Sequence, residues 1–117
     1  MSAAVGISTH VLDTSFGAPA VGVAVTLERM QEGGHASAVS RGVTDADGRV
    51  MALAPRDSAV APGAYRICFH VADYFAATQR TSFYNDICVN FVVANEPQHY
   101  HVPLLLSPFG YSTYRGS

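Results

Sequence analysis

The chain has 117 residues, 49% of them hydrophobic, which suits one domain with its own core and is too short for two ordinary ones, so residues 1–117 read as a single domain. Its net charge is −2, and all seven basic residues are arginines scattered without a basic run, which argues against a nucleic-acid backbone or an anionic membrane as partner. No window approaches the roughly 18 apolar residues of a membrane span. Met1 to Gly6 lacks the charged segment and apolar core of an export signal, so a cytoplasmic protein is expected, with Cys68 and Cys88 as reduced packing residues.

Val5 to Asp13 alternates, with Val5, Ile7, Thr9 and Val11 pointing one way and Ser8, His10 and Leu12 the other, the period of a strand. If Val5, Ile7 and Val11 face the core, His10 lies on the opposite face of the sheet. Asp13 to Ala20 is a turn-rich connection punctuated by Gly17 and Pro19, after which Val21, Val23, Val25 and Leu27 mark a second strand through Glu28. Gln31 to Gly34 reads as a hairpin loop and Ala38 to Thr44 as a third strand. Asp45-Ala46-Asp47-Gly48 is a tight turn, since Gly48 tolerates the positive φ that a reversal demands, and Arg49 opens a short strand to Leu53 directly behind it.

A loop with two prolines follows, from Ala54 to Gly63. Ala64 to Val71 is a strand with Tyr65, Ile67, Phe69 and Val71 on one side and Arg66, Cys68 and His70 on the other. Asp73 is expected to cap the only helix, which runs to about Arg80. Ile87, Val89, Phe91 and Val93 form the next strand, with Cys88 and Asn90 on its outer face; a disulfide between adjacent strands there would have poor geometry. His99 to Leu106 places Tyr100, Val102, Leu104 and Leu106 on one face and His99, His101, Pro103 and Leu105 on the other, and Phe109 to Arg115 makes an eighth strand. Eight short strands and one small helix predict an all-β, two-sheet antiparallel sandwich. The sheet face that carries His10, His99 and His101 beside Leu12 and Leu105 is oddly mixed for a solvated surface, and the last strand lacks lysine or an interior proline to blunt its edge. Both features predict symmetric self-association.

The closing stretch, Tyr100-His101-Val102-Pro103-Leu104-Leu105-Leu106-Ser107-Pro108 followed by Tyr114-Arg115-Gly116-Ser117, resembles the C-terminal signature of the 5-hydroxyisourate hydrolases, the transthyretin-like enzymes of urate breakdown. Thr9-His10-Val11-Leu12-Asp13 matches the same family. The pairing of Gly17 to Val23 with Thr44 to Gly48 is shared more widely among prealbumin-like β-domains and speaks for the fold alone. The resemblance implies a transthyretin-like fold and a homotetramer, a dimer of dimers whose central channel carries active sites built from two subunits. It further implies hydrolysis of 5-hydroxyisourate, a small-molecule substrate, to 2-oxo-4-hydroxy-4-carboxy-5-ureidoimidazoline, with no cofactor. Carried over residue by residue, the catalytic positions fall on His10, Arg49, His101 and Ser117, and Tyr114, Arg115 and Gly116 shape the substrate site.

These residue types suit the chemistry. Opening the substrate's six-membered ring with water needs a base, a donor for the developing oxyanion and a donor for the leaving nitrogen. Histidine titrates near neutrality and serves as base and then acid, whereas arginine stays charged and offers forked donors to planar carbonyl edges. A His99-x-His101 pair on a strand has the spacing of zinc ligands, but no third ligand at suitable spacing is evident, so no metal is expected. His35 and His70 read as ordinary structural or exposed histidines. Two other readings use the same fold: a hormone-type carrier, whose channel would be more apolar, and a non-catalytic prealbumin-like structural domain, which would share the turns and nothing after Tyr100.

Overall fold

The computed structural model describes residues 6–54, 60–95 and 98–116. Among the described residues nine strands form two sheets: β1 (Gly6–Asp13), β2 (Ala18–Pro19), β3 (Ala24–Met30), β4 (Ala36–Val43), β5 (Arg49–Ala54), β6 (Gly63–Phe69), β7 (Ile87–Val93), β8 (His99–Ser107) and β9 (Gly110–Thr113). One sheet runs β2-β1-β8-β9, with β5 also paired to β1; the other runs β4-β3-β6-β7. The expected sandwich is present. The additional strand is the two-residue β2, inside what reads as a turn, which pairs Leu12 with Pro19 and Asp13 with Ala18.

Alternation places the core as predicted. Ile7 and Val11 from β1, Leu27 from β3, Ile67 and Phe69 from β6, and Leu104 and Leu106 from β8 are all fully enclosed between the sheets. Each such side chain contributes about 1.5–3 kcal/mol of burial free energy. Polar groups that reach this interior are satisfied: Thr9 Oγ1 donates to the Val102 carbonyl at 2.6 Å, and Thr44 Oγ1 donates to Ala20 O at 2.7 Å while accepting from Val23 N at 2.8 Å.

The helix α1 (Val71–Ala77) differs from expectation at its start. Asp73 lies inside the first turn and is exposed, and among the described residues no side chain caps the N-terminus. The chain passes almost directly from β6 into the helix, and the backbone does the work instead: Ala72 N donates to Asn85 O at 3.0 Å. At the other end Gln79 takes a positive φ of 60°, so that Gln79 N reaches Ala76 O and Arg80 N reaches Phe75 O. This closing motif turns Arg80 back onto Asp13, at 2.6 Å, where the carboxylate is fully buried and also accepts from Tyr74 Oη at 2.7 Å.

In the second sheet Cys68 and Cys88 stand directly opposite each other, with Sγ atoms 2.7 Å apart and both thiols free. Burial, reinforced by contact with Cys88, pushes the Cys68 thiol well above its ordinary range. Among the described residues no helix is long and apolar enough to cross a membrane.

Candidate active site

The strands β1 and β8 pair in parallel, the exception among otherwise antiparallel ladders of the described residues, and this pairing assembles the histidine face. Its register sets Ser8 against His101 and His10 against Pro103. On the other side of β1 the antiparallel β5 sets Arg49 against His10. Directly opposed residues share a sheet face, so Ser8, His10, Arg49 and His101 all project from the outer face.

The turn before β5 fixes where Arg49 emerges. Gly48 has φ of 76°, and a Cβ there would meet the Val11 carbonyl at 2.5 Å, so glycine is required both for the backbone and for the close approach to β1. The Asp45 carboxylate accepts from Asp47 N at 2.9 Å and Arg49 N at 3.0 Å, which ties the first residue of β5 to the turn.

His101 is half-buried at a cleft of about 280 Å³ lined by Ser8, Arg49, Met51, His99 and itself. Its Nδ1 lies 2.8 Å from Ser8 Oγ, which leaves Nε2 as the ring nitrogen available to a ligand. Burial first, then the charges of His10, His99 and Arg49, hold His101 below the usual histidine value, favouring the neutral, proton-accepting ring. A neutral imidazole beside a permanent guanidinium can take a proton from water while the cation steadies negative charge on a neighbouring oxygen. His10 is half-buried on the adjacent strand and close enough to act on His101 electrostatically.

The terminal tetrapeptide divides. The His101–Gly116 bridge keeps the register of the β8–β9 ladder, with Gly116 N donating to His101 O at 2.8 Å. A Cβ on Gly116 would meet the His101 ring at 2.5 Å, so the absence of a side chain lets the terminus pass against the imidazole. Tyr114 and Arg115 instead line a second cleft of about 250 Å³ with Val89, Phe91, Tyr100 and Val102, at the open edge between β7 and β9. There Arg115 lies 4.7 Å from the Tyr100 ring centroid and donates to Gln98 Oε1 at 2.7 Å. Within one chain, then, His101, Arg49 and Gly116 come together with His10 alongside, and Tyr114 and Arg115 do not join them. Ser117 lies outside the described residues.

Sequence reasoning passed over Ser8 and Met51 as site residues. Both had a signal: alternation sets Ser8 on the face of His10 and Met51, two residues after Arg49 in the same strand, on the face of Arg49. His70 sits elsewhere, bonded to Thr26 and Asp86, and His35 is exposed in the β3–β4 connection.

The chain is similar over most of its length to proteins of known name. The 5-hydroxyisourate hydrolase of Salmonella dublin is 47% identical over 111 residues, spanning 95% of this chain and 80% of that protein. The structure of Klebsiella pneumoniae 5-hydroxyisourate hydrolase matches with a TM-score of 0.83 at 37% identity, covering 96% of this chain and 99% of the other. Sea bream transthyretin, solved in complex with thyroxine, matches with a TM-score of 0.85 at 30% identity over 95% of this chain and 94% of its own. The model of the HIUase/Transthyretin family matches residues 7–116, and the chain belongs to that family.

Proposed function

We propose that the chain hydrolyses 5-hydroxyisourate to 2-oxo-4-hydroxy-4-carboxy-5-ureidoimidazoline in urate breakdown. The observation that carries this reading is His101, a half-buried imidazole held toward its neutral form, facing a cleft it shares with Arg49. Ring opening requires the water oxygen to bond a ring acyl carbon, the ring C–N bond to break, and a proton to reach the departing nitrogen. His101 Nε2 takes the proton from water, the Arg49 guanidinium offsets the oxyanion, and His10 takes part in returning a proton to nitrogen. Acid–base help of this kind contributes about 10²–10⁴ in rate, and one well-placed oxyanion donor about 10²–10³.

In this reading the working form is a cytoplasmic homotetramer, a dimer of dimers, in which Tyr114, Arg115, Gly116 and Ser117 complete sites built from two subunits. Support comes from the exposure of Val92 on β7 and of Phe109, Tyr111 and Tyr114 along the β9 edge. The half-buried Leu12 and Leu105 beside the histidines add to it.

The test follows the ultraviolet absorbance of freshly generated 5-hydroxyisourate. The wild-type protein should accelerate its decay, and H101N should lose at least about 10²-fold with the oligomer unchanged by sedimentation. Absence of acceleration by the wild type removes the assignment; near-normal turnover by H101N removes the mechanism.

A further inference from the structure

We infer that Ser8 is a positioning residue that holds the His101 ring by Nδ1 and, through its single hydroxyl proton, links the tautomer of His101 to that of His99. The inference rests on the hydrolase reading for its consequence in catalysis, and on geometry for the contact itself. Ser8 is 2% exposed, and its Oγ lies 2.8 Å from His101 Nδ1 and 2.8 Å from His99 Nε2. The parallel register creates this arrangement: Ser8 is opposite His101, and His99 is two residues earlier on the same face of β8.

A hydroxyl donates one hydrogen bond and accepts up to two. Ser8 therefore cannot donate to both rings, and at least one of the two imidazoles carries its proton on the nitrogen that faces Ser8. For His101 to act as a base through Nε2, its neutral form must hold the proton on Nδ1. That proton is then donated to Ser8 Oγ, and the Ser8 hydroxyl is free to donate to His99 Nε2. The chain His101 Nδ1–H to Ser8 Oγ–H to His99 Nε2 pairs the three facing atoms in one direction. It leaves the His101 lone pair in the cleft, the role a third group plays when it orients a catalytic base. When Nε2 takes a proton from water, Nδ1 still donates to Ser8, now from a charged ring, so the bond strengthens as the reaction proceeds. No proton need cross Ser8 during the step.

Two measurements test this. In the wild type, ¹⁵N-resolved NMR of neutral His101 should show a protonated Nδ1 and an unprotonated Nε2, and S8A should shift the ring toward the opposite tautomer. In turnover, S8A should lower kcat about 10- to 100-fold, the rate equivalent of one hydrogen bond to a charged group, with KM within about twofold. The isosteric S8C restores volume but not a strong hydrogen bond, and should stay close to S8A. A wild-type His101 protonated at Nε2, ring shifts unmoved by S8A, or full recovery in S8C would each overturn the proposal. Should S8A fail to fold, the wild-type spectrum still decides. Failure of the wild type to turn over 5-hydroxyisourate would strike the hydrolase assignment and leave the NMR result on Ser8 standing.

Discussion

Replacing Gly116 with alanine offers a sharp test of the site, because it adds one carbon against the proposed base and little else. Gly116 is outside the left-handed backbone region, so alanine meets no strain of its own there. The obstacle is contact: the new Cβ would sit 2.5 Å from His101 Cδ2, 3.3 Å from its Cγ and 3.4 Å from Pro103 Cγ. Ordinary carbon–carbon contacts fall near 3.5–4.0 Å, so the ring or the terminus must yield by about 1 Å. Pro103, beside the ring, is itself buried and limits the escape. A misplacement of about 1 Å costs up to roughly 10²-fold in rate, equivalent to about 2.7 kcal/mol of transition-state stabilisation. The global fold should notice less. The Gly116 N–H donates a backbone hydrogen bond at the end of a ladder, worth about 1 kcal/mol and about 5 °C in Tm. Stopped-flow measurement of kcat/KM, with Tm by circular dichroism, separates the two effects. Wild-type kcat/KM in folded G116A, or a loss that only tracks the folded fraction, would refute the reasoning.

Two further predictions concern charge. Because burial comes first and the charges of His10, His99 and Arg49 follow in depressing His101, the acid limb of the pH–rate profile should lie below the unperturbed histidine value of about 6.5. R49Q should move that limb upward while cutting kcat/KM by about 10²–10³; an unchanged limb would mean that Arg49 does not act on the base. R80M should destabilise the protein by about 3–5 kcal/mol in urea titration at neutral pH, since it strands the enclosed Asp13 carboxylate. Burial raises the Asp13 pKa, but hydrogen bonds from Arg80 and Tyr74 and the Arg80 charge outweigh it and leave the value lowered. That contribution is therefore present above the unfolded carboxylate value, about 3.9, and is lost as pH falls through the lower native one. R80M should shift acid unfolding to higher pH, and a loss below about 1 kcal/mol would show that the pair is incidental.

The sequence by itself determined faces. Period-two alternation put Ile7, Thr9 and Val11 inward and Ser8 and His10 outward, and did the same for Tyr100, Val102 and Leu104 against His99 and His101, because in a strand the direction of a side chain is a local property of the backbone. Asp45 to Gly48 likewise announced the reversal that presents Arg49, since a positive φ and a self-bonding Asp are local chemistry. The family motifs pointed to His10, Arg49 and His101 as the candidate positions. Only the tertiary structure decided which outward residues meet. The parallel β1–β8 register brings residue 8 against residue 101 across most of the chain, and no local signal encodes a pairing whose closure depends on everything folded in between. The same is true of Arg80 with Asp13, where a helix-ending Gln79 aims a distant guanidinium at a carboxylate that alternation alone would have placed in the apolar core. It is true too of the terminal tetrapeptide, which reads as one motif and is split by the sheet. Gly116 is set against His101 while Arg115, one residue earlier, turns to the Tyr100 edge, because successive residues of an extended chain face opposite ways.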